Sequence, residues 1–119
     1  MGKHNETGIK GEQIAVNFLL KKGYKILLNN WRHERKEIDI IAQKDELLVF
    51  VEVKTRNRLD FGFPEEAVNN RKQGFMKQAA AAFMDSNKEY QKIQFDIISI
   101  IIDNKGIVKE ILHIEDAFY

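Results

Sequence analysis

The chain has 119 residues, 44% of them hydrophobic and 31% charged, with no cysteine and a formal net charge of +1. That length suits one domain over residues 1–119 with a single core, and the composition is that of an ordinary globular protein. Disulfides, thiolate metal sites and cysteine nucleophiles are excluded, no apolar run reaches the ~20 residues of a membrane span, and the start lacks an apolar signal region, so a cytoplasmic protein is the simplest expectation.

Charge is unevenly spread. Residues 1–36 carry eight Lys or Arg against three acids, whereas residues 59–119 carry seven against ten. Such a basic first third suits a chain with one phosphate-facing side, and it equally suits a solvated surface of uneven charge.

In chain order, residues 6–22 read as a helix. Ile14, Ala15, Phe18 and Leu19 recur at helical spacing, Lys21 and Lys22 lie in the last turn, and Gly23 stands where a glycine ends a helix. Glu12 shares the face of Ala15, Val16 and Leu19. The plain reading of Glu12 is a helix-start acid favoured by the dipole. Tyr24–Trp31 alternates as a strand, with Tyr24, Ile26 and Leu28 on one face. Arg32 to Lys36 then reads as a basic connection, either a solvated loop or a phosphate contact through Arg32 and Arg35.

Two apolar runs, Ile38–Ala42 and Leu47–Val53, flank the polar turn Gln43–Glu46 and predict a β-hairpin. Leu59–Phe63 reads as an exposed loop. Pro64-Glu65-Glu66 starts a short helical stretch, and Asn69-Asn70 caps a longer helix over Arg71–Met84. Asp85–Gln91 is polar loop. Ile93–Asp103 is a β-branched strand, Asp103–Gly106 a hairpin turn and Ile107–Ile114 the last strand. Glu115–Tyr119 makes a tail with Phe118 turned inward. The order α-β-β-β-α-β-β predicts an α/β fold, a mixed sheet with helices packed on it.

The hairpin carries charges inside its apolar runs: Asp39 in the first, Glu52 and Lys54 in the second. A charge there is costly to bury unless it is paired or binds a metal. Glu52 and Lys54 project from one strand face, and Asp39 on the partner strand can meet them if the register allows. Oxygen ligands alone suit Mg²⁺ or Mn²⁺, with the Val53 carbonyl as a further donor. Lys54 then orients water or neutralises charge on a phosphate. Spacing by itself is weak, since Glu34-Arg35-Lys36 and Asp103-Asn104-Lys105 also fit acid-x-Lys. Only Glu52-Val53-Lys54 ends a strand-like run preceded by an acid-bearing strand. The competing reading is an ion pair at a solvated strand end.

Asp39 followed by Glu52-Val53-Lys54 resembles the PD-(D/E)xK restriction-endonuclease-like superfamily, and Glu12 is similar to the additional acid of its Holliday-junction-resolvase branch. The wider pattern resembles the YraN family, small bacterial proteins of that fold. It rests on Gly11-Glu12 with Ala15, Glu37-Ile38-Asp39 before Ile40-Ile41-Ala42, Phe50 to Arg56, Ala67-Val68, Lys72, Phe95-Asp96 and Ala117-Phe118. Lys36 stands where that family usually has glycine. The resemblance implies Asp39 and Glu52 as metal ligands, Lys54 as the catalytic lysine and Glu12 as a supporting acid. Thr55, Arg56, Lys72 and Gln78 become candidates for substrate contact, and by analogy with the resolvases the chain forms a homodimer.

The function expected is therefore a Mg²⁺- or Mn²⁺-dependent endonuclease acting on DNA, branched or otherwise structured. The alternatives are a nucleic-acid-binding module that keeps the fold without turnover, and a protein-interaction domain. Among remaining candidates, His4, His33 and His113 are isolated in sequence, Trp31, Phe61 and Phe63 suit core or loop anchoring better than base stacking, and Asp96 needs a basic partner inside its apolar strand.

Overall fold

In the computed structural model, which describes residues 3–57 and 68–118, the chain opens with helix α1, Lys3–Lys21. Ala15 and Leu19 are fully buried, four residues apart on one helix face. Gly23, at φ +93°, takes the left-handed conformation that closes the helix.

Strands β1 (Lys25–His33), β2 (Lys36–Lys44) and β3 (Leu47–Arg56) then pair antiparallel in succession. Arg32 to Lys36 is not a separate connection. Arg32 and His33 finish β1, Lys36 begins β2, and Glu34 at φ +59° makes the tight turn. Opposite charges hold that end, with Arg32 Nη2 3.5 Å from Glu37 Oε2. Lys36 keeps a negative φ, so its position does not require glycine.

Helix α2, Asn70–Ser86, starts where expected: the Asn69 side chain accepts the Lys72 N–H at 2.9 Å. The proposed Leu59–Phe63 loop and the Pro64–Glu66 helix start lie outside the described residues. Strands β4 (Lys92–Ile102) and β5 (Val108–Phe118) close the fold as a hairpin. β5 runs past the expected end at Ile114, because the strand continues through Asp116 at φ +52°. Phe118 is buried and stacks on Phe95 with centroids 5.0 Å apart.

The five strands form one mixed sheet in the order β1-β2-β3-β4-β5, with β3 and β4 parallel and joined through α2. Helix α2 covers one face over Ile38, Ile41, Leu48 and Phe50. Helix α1 covers the other over Ile40, Ala42, Val49 and Val51. Alternation along β3 serves both faces at once.

In β2 the alternation breaks at Asp39. Ile38 packs on the α2 side and Ile40 on the α1 side, although residues two apart in a regular strand share a face. In β1 the same reversal occurs, since Trp31 pairs with Ile38 and Asn29 with Ile40. Between them stand Asn30, at φ +53°, and Asp39. Asparagine tolerates this left-handed conformation better than most residues, its short amide finding local partners. A further irregularity between Ile26 and Leu28 turns Leu28 outward at 41% exposure, so it does not share the face of Tyr24 and Ile26. No helix among the described residues is long and apolar enough to cross a membrane.

Candidate active site

The face reversal sets Asp39 at the seam between the two sides of the sheet. Its ladder with β3 ends at Ile40 opposite Val51, and the next N–H of β3 on that side is caught by a side chain instead: Val53 N–H donates to Asp39 Oδ2 at 2.8 Å. A strand residue's N–H and C=O point to the same neighbour, so the Val53 carbonyl opens on the same seam.

Glu52 meets Asp39 from the α2 side. Its side chain is only 4% exposed, with Lys54 Nζ 3.6 Å from Oε2 and Lys72 Nζ 3.5 Å from Oε1. Both are ion-pair distances longer than hydrogen bonds. Buried Oε1 accordingly has no hydrogen-bond partner among the described residues, an arrangement that costs free energy unless a cation completes it. Burial, and then the Glu52 charge, push Asp39 up to about 7, against the Val53 N–H and the Lys72 charge, which pull the other way.

Glu12 approaches from α1. Burial and the Asp39 charge raise its pKa, while a hydrogen bond from the Asn30 side chain works in the opposite direction. Helix α1 comes this close because Gly11 lies against Thr55 of β3; a Cβ at Gly11 would overlap Thr55 Oγ1. Among the described residues no three His, Cys, Asp or Glu side chains cluster tightly enough to cage an ion. Two carboxylates and a carbonyl are nonetheless the partial shell that Mg²⁺ accepts, since it keeps several waters.

The structure thus brings together Asp39, Glu52, Lys54 and Lys72, with Glu12 and Thr55 on the α1 side. Arg56 follows Lys54 on the same strand face, and its Nε and Nη2 are buried without hydrogen-bond partners among the described residues. Arg32 and Arg35 lie at the turn of the β1–β2 hairpin, both exposed, and neither is among the side chains that meet at Asp39 and Glu52. Gln78 is exposed on α2, and six residues beyond Lys72 the helix has turned it to another side. Trp31 packs edge-on against Phe83 at 5.5 Å, as a core aromatic. Phe61 and Phe63 lie outside the described residues.

The structure supplies the basic partner that Asp96 needs inside its apolar strand, in a second buried polar cluster whose members sequence reading did not connect. Asp96 is fully buried and accepts from Gln94 Nε2 at 2.9 Å and the Asp116 N–H at 3.0 Å. His113 Nε2 lies 2.7 Å from its other oxygen, and Lys22 Nζ lies 2.8 Å from His113 Nδ1. With Lys22 donating, the imidazole is neutral and its Nε2–H donates to Asp96. No local spacing signals this, because Lys22, Asp96 and His113 meet only when three elements assemble.

The model of the Uncharacterised protein family UPF0102 matches residues 11–100, a span holding every member of the Asp39–Glu52 cluster. The chain belongs to family UPF0102. Relatives carrying the UPF0102 name align over nearly the whole length. One from Flavobacterium psychrophilum is 46% identical over 100% of this chain and 98% of its own. One from Caldicellulosiruptor bescii is 47% identical over 95% and 97%, and one from Dictyoglomus thermophilum 43% over 97% and 98%. The UPF0102 fold seen here, α-β-β-β-α-β-β around a mixed sheet, agrees with the restriction-endonuclease-like resemblance.

Proposed function

We propose that this UPF0102 member is a divalent-metal-dependent endonuclease hydrolysing phosphodiesters of DNA, branched or otherwise structured. The observation that carries this reading is half-buried Asp39 abutting buried Glu52, whose Oε1 has no hydrogen bond among the described residues and whose carboxylate two lysines face. A pure binding surface has no need of two clustered carboxylates facing a phosphate, whereas an oxygen-only cation site does.

Asp39, Glu52 and the Val53 carbonyl would hold Mg²⁺ or Mn²⁺. Bound there, the ion polarises the scissile phosphate and lowers the pKa of an attacking water. Lys54, fixed against Glu52 yet 37% exposed, reaches outward to neutralise charge growing on the phosphate. Lys72 holds the Glu52 carboxylate from the other side and is aimed from the first turn of α2. Glu12 adds negative potential behind Asp39, which favours cation capture. Thr55 and Arg56 extend the strand toward the flanking backbone, with Arg56 suited to a second phosphate.

The test is incubation of the protein with duplex, flap, single-stranded and four-way-junction DNA in Mg²⁺ or Mn²⁺. Cleavage should appear on at least one substrate and fall by about 10²-fold or more in Asp39→Ala and Lys54→Ala. Wild type and variants equally inert on every substrate would overturn the catalytic reading. Salt-sensitive retention without cleavage, lost on substituting Arg32, Arg35 or Arg56 rather than Asp39, would establish the binding module instead.

A further inference from the structure

Beside the carboxylates, between α1 and β1, lies a groove of about 470 Å³, within the ~300–1,000 Å³ of small-molecule clefts. Gln13 and Asn17 line it from the helix, Asn29 and Asn30 from the strand, with Glu12 at the end nearest Asp39. Ile9 forms part of its wall and, at 60% exposure, is the most exposed large apolar side chain among the described residues. Among the described residues no lysine or arginine lines the groove.

That composition separates it from a backbone track. A phosphate groove needs cations, and the cations here stand across Asp39, on Lys54 and Lys72. Planar amides offer a donor and an acceptor together, and a carboxylate accepts from an exocyclic amine, which is the chemistry of a base edge. Asn17, Asn29 and Gln13 take part in no side-chain hydrogen bond among the described residues, so their amides are open to a ligand. The left-handed turn at Asn30 swings Asn29 and Asn30 toward α1 together. β1 is also an edge strand, open on its outer side.

We propose that this groove holds one unpaired nucleobase of the DNA whose backbone phosphate lies at Asp39 and Glu52. The assignment rests on the phosphodiester reading of that site and adds a requirement: the nucleotide next to the scissile phosphate is out of the stack. A base inside a duplex cannot enter a cleft between a helix and a strand, whereas one at a flap, gap, mismatch or junction enters without the cost of unpairing.

The experiment measures affinity rather than cutting, by fluorescence anisotropy with Ca²⁺ in place of Mg²⁺. The probes are a labelled duplex, the same duplex with a one-nucleotide gap or flap, and the single strand. Wild type should prefer the probes with an unpaired nucleotide by about 10-fold or more. Asn29→Ala and Asn17→Ala, both at exposed positions that leave packing untouched, should each weaken those probes several-fold and leave the paired duplex unchanged. Equal affinity for paired and unpaired probes, or loss spread uniformly over all of them, would overturn the groove assignment. Because no cleavage is read, an inert protein that still shows the groove-dependent preference would separate failure of the endonuclease reading from failure of this one.

Discussion

Two buried acids on neighbouring strands, Asp96 and Glu52, meet opposite fates. Asp96 has both oxygens occupied, by a side-chain amide, a backbone N–H and His113. Glu52 is nearly as buried, yet its Oε1 has no hydrogen bond among the described residues and a second carboxylate crowds it. A buried acid with every lone pair answered braces a fold; one left short beside another acid stores an unmet demand for positive charge. Burial alone therefore does not distinguish a strut from a site. Saturation does.

The largest effect that would test this contrast is on stability. Asp96→Ala leaves the His113 Nε2–H, the Asp116 N–H and the Gln94 amide without their acceptor, and each buried donor so stranded costs about 1–3 kcal/mol. Glu52→Gln should cost under about 1 kcal/mol, because its lysine partners are 37% and 32% exposed and can turn to water. Urea denaturation of both variants at neutral pH checks the pair. Equal losses would erase the distinction between strut and site.

Next in size is the response to metal. Mg²⁺ binding only to the native state should stabilise wild type by about 2.7 kcal/mol at a hundredfold excess over Kd. The same addition should leave Asp39→Ala unchanged and should still act on Asp96→Ala. Thermal melts with and without Mg²⁺ read this directly, and stabilisation surviving in Asp39→Ala would move the ion elsewhere.

The smallest concerns pH. Asp39 is raised from 3.8 to about 7 in the folded chain. An acid so raised favours folding while it stays protonated, and that advantage is full below about pH 4 and lost as pH rises through about 7. The full displacement would be worth roughly 4 kcal/mol, and solvent screening at this half-buried carboxyl cuts that to on the order of 1–2 kcal/mol lost by wild type relative to Asp39→Asn, with the two curves converging at the acidic end. Denaturation at a series of pH values provides the comparison, and parallel curves would contradict it.

Local pattern carried the hairpin, the strand context of Glu52-Val53-Lys54, the cap at Asn69 and the order of elements, because each is written in residues close together in the chain. What escaped depends on distance or on broken periodicity. Lys72 reaches Glu52 only through the docking of α2, and His113 reaches Asp96 only through the β4–β5 register. The period of two along β1 fails at Leu28 and again at Asn30, where an irregular pairing and a left-handed residue shift side chains between faces. The basic segment Arg32–Lys36 looked like a loop because charge masked its pairing. Asp39 was visible in sequence, but its place on the seam was not.

The Val53 N–H gains a particular value from its partner. Most amides of β3 bond to backbone carbonyls, which do not titrate, whereas this one donates to Asp39 Oδ2. Its nitrogen–proton resonance will move when that carboxylate takes up a proton or releases it to water on binding a cation, while its neighbours in the strand stay nearly still. The fold has wired one backbone atom to the charge state of the acid on its seam, so a single peak in a spectrum can watch the site fill.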